Sequence, residues 1–223
     1  MKQIPLAIGP EPSQSFENFL PGANAGALAH LQALAPGSPP VYLWGPAGSG
    51  KTHLLHAVVQ RVREGGAHAT WCSAADPAPW SAAGERDWLV LDDCHAYDAA
   101  QQHAAFALFV DASSRGAAVL AAGALPPVDL AVREDLRTRL GWGHVFALVP
   151  LGEAEVRAAL RREADHRGTI LSGEVMDYLL TRFARDLKHL MAQLDRLDAF
   201  SLSTQRPITV PLLKLMLAEA ASP

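Results

Sequence analysis

Cysteines and long apolar stretches are scarce in this sequence, and their scarcity narrows the class of protein. Only two of the 223 residues are cysteines, Cys72 and Cys94, and each lies in or beside a short apolar run. This usage indicates two reduced, buried thiols in a cytosolic protein. No apolar run is long enough to cross a bilayer, and the N-terminus lacks the apolar core of a signal peptide, so we expect no membrane association.

An excess of basic charge and a pattern of metal ligands are also lacking. The formal net charge is −4, and neither residues 1–150 nor residues 151–223 carry more lysine and arginine than acid. A global attraction to nucleic acid or anionic membranes is therefore not expected. The nine histidines show no paired spacing with the cysteines, and His53 and His56, three residues apart, have no evident third ligand.

The sequence does contain a phosphate-binding pattern. An apolar stretch at 41–44 precedes it and predicts a short buried strand, and a helical pattern at 51–64 follows it. This is the strand–loop–helix context that the pattern needs; the alternative is a glycine-rich turn with a surface lysine. The pattern G-x-x-x-x-G-K-[ST] is matched at every fixed position by Gly45, Pro46, Ala47, Gly48, Ser49, Gly50, Lys51 and Thr52.

The chemistry expected of this loop follows from its residue types. Glycines let successive backbone N–H groups converge on an anion, and the helix that follows adds the positive end of its dipole. We expect Lys51 to bring its charge to the β- and γ-phosphates of a nucleotide and Thr52 to offer its hydroxyl to Mg²⁺. The sequence therefore predicts a nucleotide-binding site.

Strand and helix patterns alternate from residue 41 to residue 150. Near-continuous apolar strands between helices predict an α/β fold with a five-stranded parallel sheet covered on both faces. Residues 1–15 contain three prolines and a glycine, which indicates an extended tail. The predicted strands are 41–44, 69–73, 88–91, 117–122 and 145–149, and the predicted helices are 24–34, 51–64, 101–114 and 133–140.

Only helical spacing remains after Pro150. Apolar stripes on the predicted helices are interpreted as core positions. We therefore divide the chain into a tail (1–15), an α/β nucleotide-binding domain (16–150) and a small all-α domain (151–223). The helices predicted in the last domain are 153–166, 174–183, 186–203 and 210–220.

Two acids follow the third predicted strand. The apolar run 88–91 ends at Asp92 and Asp93, about forty residues after the phosphate-binding loop. We expect Asp92 to hold Mg²⁺ or its water shell, and Asp93 to orient or deprotonate the attacking water. Acids often follow strands, so this signal depends on the loop that precedes it.

These features resemble the AAA+ family, and within it the branch of the replication initiator DnaA. The resemblance rests on KTHLLHA at 51–57, RTRLGWG at 137–143 and DLKHL at 186–190, and it covers nearly the whole chain after residue 15. Within the branch the sequence is most similar to the Hda family, whose members inactivate DnaA. This resemblance implies a P-loop AAA+ domain followed by a helical lid domain.

Three features favour the Hda family over DnaA itself. The sequence ends soon after the helical domain, which leaves no room for the DNA-reading helix-turn-helix domain of DnaA. Residues 74–87 are too few for the DnaA insertion that grips single strands. The third feature is a likeness, which in isolation would fit an incidental tail, to the hexapeptide that binds the sliding clamp (the β subunit of DNA polymerase III): Gln3, Ile4, Pro5, Leu6, Ala7 and Ile8.

The resemblance also assigns further positions. Arg139 matches the arginine finger, implied to act on ATP held by DnaA; the alternative is a surface arginine that caps a short helix. Lys188 replaces a nucleotide-sensing lid arginine, and lysine lacks the bidentate fork. Ala124 stands where a polar residue usually positions water, so we expect slow hydrolysis of the chain's own ATP. His53, which directly follows the loop, is also expected to contact the nucleotide.

The resemblance therefore implies a negative regulator of chromosomal replication initiation. Such a chain binds ADP or ATP with Mg²⁺, is tethered to the clamp, and converts DnaA-ATP to DnaA-ADP. We expect a cytoplasmic bacterial protein that meets DNA, and so the nucleoid, mainly through the clamp; a homodimer stays open. Two alternatives also stay open: a self-contained ATPase of the helicase-loader type that uses Asp93, and an adaptor that holds ADP as a structural ligand.

Overall fold

The structure is a computed structural model that describes residues 14–80, 88–183 and 187–220. The described residues form two compact units that divide between Pro150 and Leu151. The buried apolar residues of the first unit form two clusters, and those of the second unit form a third.

The first unit is built on a sheet of five strands, all of them paired in parallel. The strands are β1 (Val41–Trp44), β2 (Ala69–Ser73), β3 (Trp88–Asp92), β4 (Ala118–Gly123) and β5 (His144–Ala147). Their order across the sheet is β2-β3-β4-β1-β5, which places β4 at the centre with β3 and β1 on either side. The predicted five-stranded parallel sheet is confirmed.

Helices cover both faces of this sheet because residues alternate between faces along each strand. Val41 and Leu43 of β1 belong to one buried cluster, together with side chains of the helices that flank β1 in sequence. Tyr42 belongs to the opposite cluster, together with side chains of the two later helices. The helices of this unit are α1 (Ala25–Gln32), α2 (Lys51–Glu64), α3 (Ala99–Ser114) and α4 (Glu134–Leu140).

The fifth strand differs from its predicted position by one to two residues. It begins at His144, whose backbone N–H donates to the carbonyl oxygen of Pro40 at 2.8 Å, and it ends at Ala147. The apolar pattern predicted 145–149 because it continues through Val149. The backbone N–H of Val149 instead donates to Oδ1 of Asn24, and Nδ2 of Asn24 donates to the carbonyl oxygen of Val149, both at 2.8 Å.

The second unit is all-α, as predicted. Its apolar stripes form one buried cluster that includes Val156, Leu179, Leu194 and Leu213. Within the part of the chain that the structure describes, no helix of either unit is long and apolar enough to span a bilayer. The helices of the second unit are α5 (Glu153–His166), α6 (Gly173–Arg182), α7 (Leu187–Thr204) and α8 (Val210–Ala220).

Candidate nucleotide-binding site

The loop between β1 and α2 has the backbone geometry of an anion cradle. Gly45, Gly48 and Gly50 take φ angles of +152°, +76° and +94°, a region that side chains disfavour. Gly50 is also the N-cap of α2, so the loop leads directly to the N–H groups of the first helical turn. Glycines at these positions let the backbone bend around an anion.

Two of these glycines are also required by close packing. A Cβ atom at Gly45 would lie 2.4 Å from the carbonyl oxygen of Leu148, which is backbone and cannot swing away. A Cβ atom at Gly50 would lie 2.7 Å from the Phe19 ring. The segment before α1 and the residues after β5 therefore hold the loop on two sides.

The side chain of Lys51 lies inside the loop. Its Nζ donates to the carbonyl oxygens of Gly45 at 2.7 Å and Pro46 at 2.8 Å, and the residue is 9% exposed. Burial lowers the pKa of Lys51, whereas Asp92 and Asp93 oppose that shift. The ammonium group is thus held over the loop, where the sequence predicted contact with phosphates.

The hydroxyl of Ser49 is a buried polar atom without a partner in the described structure. Ser49 is 4% exposed, and its Oγ makes no hydrogen bond to any described residue. A buried hydroxyl usually has a partner, because an unmade hydrogen bond costs free energy. This atom lies 3.0 Å from where a Cβ of Gly45 would be, so it belongs to the cradle.

The two predicted magnesium ligands, one in the first turn of α2 and one at the carboxyl end of β3, contact each other. Oγ1 of Thr52 donates to Oδ2 of Asp92 at 2.8 Å, and the backbone N–H of Asp93 donates to Oδ1 of the same carboxylate at 2.9 Å. Asp92 is 3% exposed, and burial is the main cause that raises its pKa. Asp93 is half-buried and adopts a left-handed backbone with φ of +55°, unusual for a non-glycine residue.

These groups fit a nucleotide phosphate with a divalent cation. The loop supplies an N–H cradle, the Ser49 hydroxyl and the Lys51 charge, which suit a phosphate. The hydroxyl of Thr52 and the carboxylate of Asp92 are oxygen ligands of the kind Mg²⁺ prefers. When bound, the cation would draw charge from the phosphate oxygens, and Asp93, which directly follows Asp92, would be the candidate for orienting water.

The end of β4 offers no polar side chain to this site. A Cβ atom at Gly123 would lie 2.2 Å from the Tyr42 hydroxyl, which crosses the strand end and donates to the carbonyl oxygen of Leu125 at 2.9 Å. Ala124, the predicted replacement for a water-positioning residue, follows directly. Burial raises the pKa of Tyr42, so this phenol stays neutral.

His53 contacts the segment that enters the unit. Its Nε2 lies 2.9 Å from the carbonyl oxygen of Ser15, and its ring lies 5.3 Å from that of Phe19. Burial lowers the pKa of His53 and so favours the neutral imidazole. In the described residues the side chain of His53 therefore anchors the entering segment on α2.

Arg139 lies in the last turn of α4. Its guanidinium carbon is 5.0 Å from the centre of the Trp142 ring, and Trp142 is 64% exposed. Among the described residues no carboxylate pairs with this guanidinium, and no helix carbonyl accepts a hydrogen bond from it. Within the described residues, the guanidinium of Arg139 therefore forms no ion pair and caps no helix.

The remaining predicted residues belong to the second unit or lie outside the described residues. Lys188 lies in the first turn of α7 in the second unit, where its side chain is exposed. The predicted clamp-binding residues, Gln3 to Ile8, lie outside the described residues, as does Asp186 of the 186–190 run.

Three contributors were not predicted from the sequence. Phe19 covers Gly50, Tyr42 crosses Gly123, and Trp142 faces Arg139. The first two contacts join residues far apart in the chain, so no local pattern marks them. Trp142 stands three residues after Arg139, and an aromatic residue at that spacing beside an arginine is a signal that could have found it.

The fold is similar to that of replication initiators and branch-migration motors. Domain III of the Thermotoga maritima initiator DnaA superimposes with a TM-score of 0.74 at 21% identity, over 96% of this chain and all of that chain. AMPPCP-bound DnaA from Aquifex aeolicus gives 0.67 at 21% identity, over 84% of this chain and 66% of that chain. A Thermotoga maritima RuvB mutant gives 0.67 at 16% identity, over 92% and 72%.

Family comparisons divide this likeness between the two units. The family described as the bacterial DnaA ATPase domain matches residues 11–70, which include the phosphate-binding loop. The family described as the Hda lid domain matches residues 153–217, which run from the start of α5 into α8. The two matches together cover more than half of the sequence. The chain is an Hda-like member of the DnaA branch of the AAA+ proteins.

Proposed function

We propose that this protein inactivates DnaA by stimulating hydrolysis of the ATP that DnaA holds. The observation that carries the proposal is the guanidinium of Arg139, which stands at a helix end without a carboxylate partner among the described residues. An arginine placed beside a neighbour's γ-phosphate offsets the charge of the transition state. The match of the second unit to the Hda lid domain supports DnaA as that neighbour.

The chain's own site is proposed to hold ADP or ATP with Mg²⁺. The N–H cradle, the Ser49 hydroxyl and the Thr52–Asp92 pair support this assignment. Two structures of the initiator DnaA, which has a similar fold, contain the ATP analogue AMPPCP. Hydrolysis at this site is proposed to be slow, because the end of β4 carries Gly123 and Ala124 in place of a polar side chain.

We further propose that the tail tethers the protein to the sliding clamp. Gln3 would hydrogen-bond at the rim of the clamp pocket, and Leu6 and Ile8 would fill its apolar subsites. A short peptide that orders on binding has modest affinity. A clamp pull-down tests this part directly: replacing Gln3 and Leu6 by alanine is expected to abolish capture, and capture that survives both changes would reassign the tail.

The catalytic part is tested by the rate at which DnaA-bound ATP becomes ADP on clamp-loaded DNA. We expect Arg139→Ala to lower the stimulated rate by at least about a hundredfold, since arginine fingers contribute about 10³ to 10⁵ in rate. Arg137→Ala is the matched control, because it removes the same charge two residues away on the same helix, and it should leave the rate unchanged. Equal rates with wild type and Arg139→Ala would remove the catalytic role.

A further inference from the structure

Arg139, the proposed arginine finger, contacts the ring of Trp142, and the proposed function does not explain this contact. The guanidinium carbon lies 5.0 Å from the ring centre, within the range of an attractive cation–π contact. The backbone N–H of Trp142 donates to the carbonyl oxygen of Arg139 at 3.2 Å, so the tight turn after α4 fixes their spacing. The indole is 64% exposed, which is unusual for so large an apolar side chain.

An aromatic face orients a guanidinium without consuming its hydrogen-bond donors. A carboxylate partner would neutralise the charge and occupy the N–H groups, whereas stacking leaves the donors in the guanidinium plane available to a phosphate. Among the described residues Arg139 has the ring of Trp142 as a partner and no carboxylate. The arrangement limits the rotamers of Arg139 and leaves its donors available.

We propose that Trp142 is a positioning residue for Arg139: its indole face holds the guanidinium in the orientation that reaches a phosphate of another molecule. This inference rests on the proposed function, since the phosphate is that of DnaA-bound ATP. Trp142 itself touches neither the phosphate nor the attacking water. Preorganisation of this kind raises the rate of the chemical step, because a misplaced catalytic group contributes little.

A different role for an exposed tryptophan is that of a docking residue. A buried indole often dominates the affinity of an interface, and its loss would weaken association rather than slow the reaction. The two roles therefore separate in the dependence of rate on protein concentration. Val128, an apolar residue with 76% exposure in the turn that packs on Gly141, serves as the control for loss of exposed apolar surface.

The test measures hydrolysis of DnaA-bound ATP as a function of the concentration of this protein. We expect Trp142→Leu to lower the maximal rate by roughly threefold to thirtyfold with little change in the half-saturating concentration. Trp142→Phe, which retains an aromatic face, should keep most of the rate, and Val128→Ala should match wild type. A rise in the half-saturating concentration alone would overturn the positioning role.

A double-mutant cycle tests whether Trp142 acts through Arg139. In the Arg139→Ala background, Trp142→Leu should cause no further loss, because the residue acts through the arginine. A full loss in that background would contradict the inference. If Arg139→Ala alone has no effect, the proposed function fails; if Arg139→Ala abolishes stimulation while Trp142→Leu equals wild type, only this inference fails.

A partner-free measurement checks the contact itself. In the free protein, the ring current of Trp142 should shift the side-chain NMR resonances of Arg139, and the shift should disappear in Trp142→Leu and persist in Trp142→Phe. Resonances of Arg139 that are the same in wild type and Trp142→Leu would overturn the proposal irrespective of any hydrolysis data.

Discussion

At the scale of single residues, the buried carboxylate of Asp92 suits the proposed magnesium site but lowers the stability of the ligand-free protein. Its carboxylate is 3% exposed, and burial raises its pKa, with a further rise from the charge of Asp93. A raised pKa means that the folded state favours the protonated acid. The stability from this preference is complete in acid and is lost as the pH rises through the raised pKa. At neutral pH the buried charge is therefore a cost that a bound cation would offset.

Asp92→Asn should accordingly stabilise the protein in the absence of nucleotide. The amide oxygen can still accept from Thr52 or from the N–H of Asp93, but it carries no charge to desolvate. We expect the melting temperature at neutral pH to rise by about 2–4 °C, which corresponds to about 1 kcal/mol. The difference should narrow in acid, and magnesium-dependent nucleotide affinity should fall. A lower melting temperature at neutral pH would contradict this account of Asp92.

Replacing Gly45 should disturb the phosphate-binding loop. In Gly45→Ala the new methyl group meets the carbonyl oxygen of Leu148, and φ of +152° strains any side chain. We expect the free energy of unfolding, measured by urea denaturation, to fall by about 2–4 kcal/mol. Gly26→Ala is the matched control, because nothing lies within 4 Å of a Cβ there, and it should be neutral or stabilising by up to about 1 kcal/mol.

At the scale of elements, α3 begins where its capping box places it. α3 begins two residues before its predicted start because the side chain of Asp98 accepts from the backbone N–H of Gln101 at 2.8 Å, and Gln101 Oε1 accepts from the N–H of Asp98 at 2.9 Å. Nε2 of Gln101 also donates to the carbonyl oxygens of Ala74 and Asp76. One capping box thus starts a helix and holds the segment after β2.

Asp98→Ala should remove this cap. We expect a loss of about 0.5–2 kcal/mol in the free energy of unfolding, the usual cost of replacing a capping residue by alanine. Asp98→Asn keeps the acceptor and should lose much less. Amide hydrogen exchange should accelerate in the first turn of α3 in the alanine variant, and an unchanged exchange rate there would count against the cap.

The sheet and the phosphate-binding loop could be predicted because short, continuous stretches of sequence determine both. Apolar runs of strand length mark β1 to β4, and a fixed octapeptide marks the cradle. The contact of Tyr42 with Gly123 at the end of β4 could not be predicted, because it joins residues 81 positions apart, and the left-handed backbone of Asp93 has no composition signal. The predicted start of the fifth strand was wrong because an edge strand tolerates exposed polar residues, and here the strand begins at His144.

At the scale of the whole molecule, each compact unit has a core of its own, and the cradle lies in the first unit. A ligand that binds the folded state stabilises it by mass action, by about 2.7 kcal/mol at a concentration one hundred times its dissociation constant. We expect ADP with Mg²⁺ to raise the melting temperature of wild type. Lys51→Ala should lose most of this shift, and a full shift in that variant would contradict the assigned cradle.

The central claim is that this protein acts on a triphosphate held by another molecule. A single-turnover experiment tests it directly when γ-labelled ATP is placed first only on DnaA and then only on this protein, each time with both proteins and the DNA-loaded clamp present. The account predicts rapid release of labelled phosphate from DnaA and little release from this protein. Rapid release from this protein, with the label on DnaA retained, would contradict it.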